Sequence, residues 1–334
     1  MGDAPASKAP KIASTSSTTY VSNLPNLPKT PLTTVLDLPT DAFDSIAATY
    51  QSKQARRDAA SRVLQAAVRD STASVYHLHR GDMAEAEKAI AASLASLKTA
   101  MEELGDEEEG ARYGPLAGAM EASIKAKAFA HFLSTGALLQ KSEVPFAHGY
   151  EEYIPGVIGF ANELQRYVVK QGRERDITSL FACKVLVEAL QAELMMFDFR
   201  NGPMRHKFDS IKYVVRKLED TIFELSLQDG IEIPASDAAA AEGGVAVLNV
   251  KEFEEMRALM EENDEKREVV IKKCRDLQKS SKNSIYDLHR GNLQKAEEQL
   301  AVVKEMAEEL LPTIEENKNL RGGAFSGVLE EYAE

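Results

Sequence analysis

Apolar residues recur three and four positions apart along most of the chain, and no stretch sustains the apolar–polar alternation of a half-buried strand. The pattern therefore predicts helices and no β-sheet. The first helix is expected to start at Pro39-Thr40-Asp41, where Thr40 or Asp41 can accept hydrogen bonds from the first free N–H groups, and to end at Gly81. Further helices are predicted at about 82–104, 115–140, 151–171, 176–199 and 203–227.

The last predicted helix carries the most regular apolar stripe. Its members are spaced alternately three and four residues apart, which is the period of a coiled-coil seam. Packing into the core of the same domain is the commoner explanation of such a stripe. An oligomer seam is the alternative that its length and charged flanks favour. The stripe consists of Phe208, Ile211, Val215, Leu218, Ile222 and Leu225.

Changes of composition divide the chain into four parts. Residues 1–39 are rich in Ser, Thr and Pro and are expected to form a disordered tail, with a transit peptide as the alternative. Residues 40–229 are predicted to form a helical domain. The Pro-, Gly- and Ala-rich segment 230–249 is typical of a linker, and 250–334 form the last part.

The last part repeats the start of the domain. The run Ser284–Asn292 restates Ser74–Asp82 at an offset of 210 residues, and Phe325–Glu330 restates Leu116–Glu121 at an offset of 209. The chain is therefore predicted to contain one complete helical domain, the first copy (40–229), and the first helices of a second copy (250–334).

Composition limits the possible functions. The 334 residues include 40 Lys and Arg against 53 Asp and Glu, a net charge of −13, so any site for nucleic acid or an anionic membrane must be a local patch. Cys183 and Cys274 have no CxxC or His partner nearby, so the sequence suggests neither a zinc site nor a disulfide framework, and a reducing compartment fits best. There is neither an apolar run of the ~18–20 residues that span a bilayer nor a signal peptide pattern. The expected location is the cytoplasm, with the nucleus in addition.

The most specific motif runs from Met195 to Asp220 and continues through Ile222–Ser226. It closely resembles the C-terminal signature of the translin family, and Tyr153–Leu164 looks like the central signature of that family. His131-Phe132 and the turn His79–Asp82 are also similar to the family pattern. The resemblance implies an all-α bundle of about seven helices, here followed by a partial repeat. It also implies assembly into closed oligomers that bind single-stranded RNA or DNA.

The family has two kinds of subunit, one that binds nucleic acid and one that carries a metal-dependent endoribonuclease site. The resemblance implies that the catalytic kind has two acids on its third helix and two in its central signature, which together hold Mg²⁺ or Mn²⁺. In the first copy these positions are Ala122, Lys125, Gly159 and Glu163, so one acid remains. The first copy is therefore expected to be non-catalytic and to need no cofactor.

The equivalent third-helix positions of the second copy are Glu331 and Glu334. These two glutamates are candidate catalytic and metal-binding residues, and Glu163 is a third candidate metal ligand. The alternative function is an Mg²⁺-dependent endoribonuclease that uses these two acids. A longer chain or a partner subunit would supply the rest of its site. The other explanation is that they are two surface glutamates without a functional role. A purely structural scaffold is a third possible function of the chain.

Binding of a nucleic-acid strand requires cations that face its phosphates. Segment 102–112 is acidic where the nucleic-acid-binding subunit of the family is rich in Arg and His, so the contacts are expected elsewhere. The predicted partners are single-stranded RNA or DNA and translin-family subunits, in a homo- or hetero-oligomer, and no membrane. Solvation of a helix face is the alternative role for each candidate cation. The candidates are Arg166, Lys170, Arg173, Arg175, Arg205, Lys207, Lys212, Arg216 and Lys217.

Overall fold

The computed structural model describes residues 40–105, 114–147, 149–229 and 247–334. The predicted tail and most of the acidic segment and of the linker lie outside these residues. Every long regular element within them is an α-helix and there is no strand, so the all-α class is confirmed. None of the described helices is long and apolar enough to cross a membrane.

The described part of the first copy contains seven α-helices, as the resemblance implied. They are α1 (Thr40–Arg80), α2 (Met83–Leu104), α3 (Pro115–Thr135), α4 (Tyr150–Glu174), α5 (Ile177–Met195), α6 (Pro203–Phe208) and α7 (Ile211–Asp229). The described part of the second copy contains α8 (Val250–His289), α9 (Leu293–Glu316) and α10 (Ala324–Ala333).

Helices α1 and α2 form a hairpin with arms of unequal length. Gly81 has a φ of 83°, the left-handed conformation that favours glycine, and it ends α1 so that α2 can return along it. Helix α1 has 41 residues and α2 has 22, so α2 pairs with only the C-terminal half of α1. Residues 41–58 of α1 project beyond α2 and are exposed throughout.

Small polar residues mark the place where the first three helices meet. The Ser93 hydroxyl on α2 lies 2.7 Å from that of Ser71 on α1 and 2.9 Å from that of Ser123 on α3. All three side chains are buried. Because buried hydroxyls are costly without partners, this triangle fixes the three helices in one register.

Helix α4 crosses α3 at very short range. A Cβ atom placed on Gly156 would lie 2.5 Å from the Cβ of Ile124, so the contact requires a glycine. The central signature of the sequence is therefore the segment of α4 that packs directly against α3.

Two predicted helix boundaries in the C-terminal half of the first copy are wrong. The helix predicted over 203–227 is divided into α6 and α7, because Ser210 donates a hydrogen bond to the carbonyl of Lys207 (2.6 Å) and accepts one from Asn162 of α4 (2.9 Å). The helix predicted over 151–171 continues through Gly172 to Glu174. The reason is packing, since a Cβ at Gly172 would lie 2.8 Å from Cγ2 of Thr221.

Two other helices end earlier than predicted. Helix α3 ends at Thr135 and not near residue 140, because Gly136 takes the left-handed conformation with a φ of 73°. Helix α5 ends at Met195 and not at residue 199, and the chain then turns so that the rings of Phe197 and Phe199 stack 5.3 Å apart.

The apolar stripe predicted as an oligomer seam packs inside its own chain. Ile211, Leu218 and Leu225 are buried, and the other three members are half-buried against the same core. The coiled-coil spacing was correct for a buried face, but the neighbours are α4 and α5 of the same molecule. Of the two explanations of the stripe, packing into the core of the same domain therefore agrees with the structure, and the oligomer seam does not. The stripe consists of Phe208, Ile211, Val215, Leu218, Ile222 and Leu225.

Helix α8 belongs to two cores. Phe253, Met256 and Met260 near its start are buried in the main core of the first copy. Val270 and Leu277, further along, are buried against α9 and α10 in a separate core of the second copy. One continuous helix thus connects the two copies.

Candidate nucleic-acid-binding surface

Helices α4 and α7 carry most of the predicted cations and lie side by side. Asn162 bonds to Ser210, which immediately precedes α7, and Gly172 contacts Thr221 in the middle of α7. Because both pairs advance in the same direction along the chain, α4 and α7 are parallel.

The cations of these two helices therefore lie at similar heights on neighbouring helices. Arg166 and Arg173 on α4 and Lys212 and Arg216 on α7 are exposed. Arg166 lies 3.8 Å from Glu163, and the Lys212 ammonium lies 5.1 Å from the centre of the Tyr213 ring. Exposed cations next to an exposed aromatic ring are the groups that a single strand needs for phosphate contact and base stacking.

Three other predicted cations are engaged in contacts within the protein. Lys170 donates a 2.9 Å hydrogen bond to the carbonyl of His79 in the last turn of α1, where a cation also meets the negative end of the helix dipole. Lys207 donates a hydrogen bond to a carboxylate oxygen of Glu121 on α3. Arg205 lies 3.5 Å from Asp209. The contacts of Lys170 and Lys207 join helices, and that of Arg205 lies at the end of α6 itself. All three contacts leave the cations less available to a phosphate.

The remaining two cations stand at other positions. Arg175 follows α4 as a left-handed cap with a φ of 59°, and its side chain is exposed. Lys217 on α7 is half-buried. The structure therefore brings some of the predicted cations to one pair of helices and distributes the others.

The positions of the implied catalytic acids form a different kind of site. The aliphatic stem of Lys125 lies over Gly159, with its Cδ 3.4 Å from the place of a Cβ at that glycine. Glu163, one turn further along α4, is largely buried. The neighbouring His79 ring, opposed by burial and assisted by the charges of Lys125 and Arg166, lowers the pKa of the Glu163 carboxyl.

His79 is the partner that the sequence did not indicate. Its Nε2 lies 3.5 Å from Oε2 of Glu163, and neither of these buried atoms has a hydrogen-bond partner among the described residues. The imidazole also contacts Phe129, with 4.9 Å between the ring centres. In the sequence, His79 is recognisable only as part of the turn His79–Asp82 that resembles the family pattern. No local signal could identify this pair, because its members are 84 positions apart.

The three acids predicted as metal ligands do not come together. Glu331 lies 3.2 Å from the ammonium of Lys282, Glu334 is exposed, and Glu163 faces His79 in the first copy. In the part of the chain that the structure describes, no group of three or more His, Cys, Asp and Glu side chains could hold a metal ion. The described residues therefore do not fit Mg²⁺. The catalytic role of Glu331 and Glu334 stays a prediction.

Comparison with known proteins gives consistent matches. The model of the Translin family matches residues 53–229. Translin of Gallus gallus is 27% identical over 92 residues, which are 28% of this chain and 40% of that protein. Translin of Homo sapiens is 27% identical over 78 residues, or 23% of this chain and 34% of that protein. The chain thus matches less than half of the length of these relatives.

A solved structure described as apo-NeC3PO has a similar fold. It covers 61% of this chain and 99% of its own length, with a TM-score of 0.50 and 20% sequence identity. At this identity the similarity establishes the fold.

Proposed function

The chain belongs to the translin family, and from this premise we propose that it is a non-catalytic subunit of an oligomer that binds single-stranded RNA or DNA. The observation that carries the non-catalytic assignment is the position of Lys125. Its side chain occupies the space over Gly159, where the family resemblance implies an acid. An ammonium group at this position repels a divalent cation.

The interaction of His79 with Glu163 supports the same assignment. Glu163 is the one acid that remains in the first copy, and it faces the imidazole of His79 at 3.5 Å. This neighbour is the main cause of the lowered pKa of Glu163. A carboxylate held in this way connects α4 to the end of α1. We therefore assign Glu163 a structural role.

The exposed cations of α4 and α7 support the binding part of the proposal. The net charge of −13 makes general attraction of a polyanion unfavourable, so the affinity must come from a local patch. We assign this patch to Arg166, Arg173, Lys212 and Arg216. The exposed ring of Tyr213 beside Lys212 offers a surface on which a base can stack.

The salt dependence of binding tests this assignment. A labelled single-stranded RNA of about 20 nucleotides is titrated with the full chain at several salt concentrations, and the slope of log K against log salt is measured. Arg173→Ala and Arg216→Ala should each lower the affinity and reduce the slope by about 0.7, the value expected for one lost phosphate contact. Lys304→Ala, a change of an exposed lysine beside Glu308 on α9, is the matched control. Unchanged slopes in both variants contradict the assignment of the patch.

The nuclease alternative is measured with the same RNA. A non-catalytic subunit should leave the RNA uncleaved both with and without Mg²⁺. Cleavage that requires Mg²⁺ and is abolished by Glu331→Ala would replace the non-catalytic assignment with an endoribonuclease that uses the second copy. An RNA that is not retarded at any salt concentration would leave only the scaffold function.

A further inference from the structure

The start of α8 is seated in a site on the first copy. Phe253, Met256 and Met260, here named the second stripe, are 2, 2 and 8% exposed. The ring of Phe253 meets those of Tyr153 and Phe197 edge to face, with ring centres 6.4 and 6.5 Å apart. The first copy therefore has an aromatic-lined docking site that accepts the beginning of a helix.

Polar contacts align the helix in this docking site. The Glu252 carboxylate accepts hydrogen bonds from the backbone N–H groups of Lys141 (2.7 Å) and Ser142 (3.2 Å). About three to four turns further along, Arg200 of the first copy lies 3.0 Å from both Asp264 and Glu268. Contacts to the first copy thus follow α8 over more than four turns.

The same apolar spacing is found 210 residues earlier, at the start of α1. Phe43, Ile46 and Tyr50, here named the first stripe, stand at the positions equivalent to the second stripe. They are 58, 64 and 65% exposed. The exposed segment 41–58 is about 27 Å long at 1.5 Å per residue. It presents a row of large apolar side chains that no described residue buries.

The two helices agree in register beyond their starts. Ala60 and Val270 are equivalent at the offset of 210 and both are buried, and the same holds for Leu64 and Cys274. The helices therefore differ in their first five turns because one start is docked and the other is exposed. Asp58 stands at the position equivalent to Glu268, so the first stripe also retains a carboxylate for a partner's arginine.

We propose that the first stripe docks into the equivalent site of another translin-family subunit, one that has a single copy of the domain and so leaves this site vacant. The proposal rests on the proposed function as an oligomer subunit and names one of its contacts. Another molecule of this chain is a poor host, because its own second stripe is tethered to the site at a high effective concentration. The host is therefore a different subunit.

The test uses full-length chains that differ in one role each. In the test, a variant of this chain with a vacated docking site takes the place of the host. It carries Phe253→Asp and Met256→Asp, which release its second stripe, together with Phe43→Asp, which disrupts its own first stripe. The donor is the unchanged chain, whose docking site is occupied. Sedimentation velocity should show a 1:1 complex of host and donor, and Phe43→Asp in the donor should weaken it at least tenfold.

Controls keep the outcome decisive. Tyr76→Asp changes another exposed aromatic residue of α1 and should leave the affinity unchanged. If circular dichroism shows that the aspartate host has lost helix, Phe253→Ala is used as the host, since it shortens the side chain without adding charge. No complex with a folded host, or a complex that is insensitive to Phe43→Asp, overturns the proposal. If the chain still binds RNA in parallel titrations, the failure concerns the docking of the first stripe and not the proposed function.

Discussion

Leu78 and Leu288 occupy equivalent positions near the ends of α1 and α8, but the first is 2% exposed and the second is 43% exposed. Met120 of α3 is buried, whereas its equivalent Leu329 of α10 is exposed. In the first copy Leu78 shares a core with residues of α4, which packs against α3, and no described helix takes the place of α4 on the second copy. Met120 lies in a separate cluster of residues from α1, α2 and α3. The apolar pattern of a helix therefore determines which face can be buried, and the neighbouring helices determine whether that face is buried.

The junction of the first three helices also differs between the copies. Ser93 in the serine triangle is replaced in the second copy by Val303, which is buried among apolar neighbours of α8. Ser281, the equivalent of Ser71, bonds instead to the carbonyl of Leu277 at 3.1 Å. The first copy therefore specifies its helix register with directional bonds, and the second copy uses apolar packing.

The largest expected effect comes from a change that separates α4 from α3. Gly156→Ala places a Cβ 2.5 Å from that of Ile124, and we expect a loss of about 3 kcal/mol in the free energy of unfolding. Gly327→Ala on α10 is the matched control, since no atom lies within 4 Å of its added Cβ. The control should stabilise the protein by up to about 1 kcal/mol. Urea unfolding followed by circular dichroism measures both, and a similar result for the two would contradict the close contact.

A smaller effect is expected at the serine triangle. Ser93→Ala removes the hydroxyl that is shared by Ser71 and Ser123 and should cost about 2 kcal/mol, because buried polar groups lose their partner. Ser96→Ala on the same helix is half-buried and should change the stability by less than about 0.5 kcal/mol. Equal costs for the two variants in urea unfolding would show that the triangle does not stabilise the junction.

The two cysteines report separately on the two copies. Burial raises the pKa of the Cys183 thiol to about 12 and also raises the pKa of Cys274, so both react slowly in the folded protein. Because the second copy has the smaller core and lacks a helix over its exposed face, Cys274 should react with a thiol reagent about tenfold faster in dilute urea, which corresponds to about 1.4 kcal/mol. Cys183→Ser and Cys274→Ser assign the two phases. Identical rates would mean that the copies open together.

The smallest expected effect concerns Glu163. Its pKa is lowered in the folded state, so the stabilisation is present above its ordinary pKa of 4.5 and is lost as the pH falls through the folded value. Glu163→Gln should therefore flatten the fall in stability between about pH 5 and pH 3. Glu219→Gln, a change of an exposed acid on α7, is the control. Thermal unfolding across this range measures the difference, and parallel curves for the native chain and Glu163→Gln would sink the assignment.

Features that depend on residues close together in the sequence could be predicted from it. The end of α1 at Gly81 and the all-α class follow from local conformational preference and from apolar periodicity. The buried face of α7 was also identified correctly, with Ile211 and Leu218 on it. Periodicity contains no information on what covers a face, so the spacing left core packing and an oligomer seam both open.

Features that depend on contacts between distant segments could not be predicted. The break before α7 requires Asn162 of α4, and the continuation of α4 through Gly172 requires the methyl group of Thr221. The contact of His79 with Glu163 joins two helices at a single point. Such contacts become visible only when the packing of α1, α3, α4 and α7 is known.

The continuity of α8 has a mechanical consequence. Its side chains are held in one core at Met256 and in another at Cys274, and the helix rises about 27 Å over the 18 residue steps from one to the other. Rotation of either core about the helix axis must turn the helix, and a pull on one end must load both cores at once. The chain therefore has a built-in spacer, and fluorophores at its two ends would measure bending of the molecule as a change in distance.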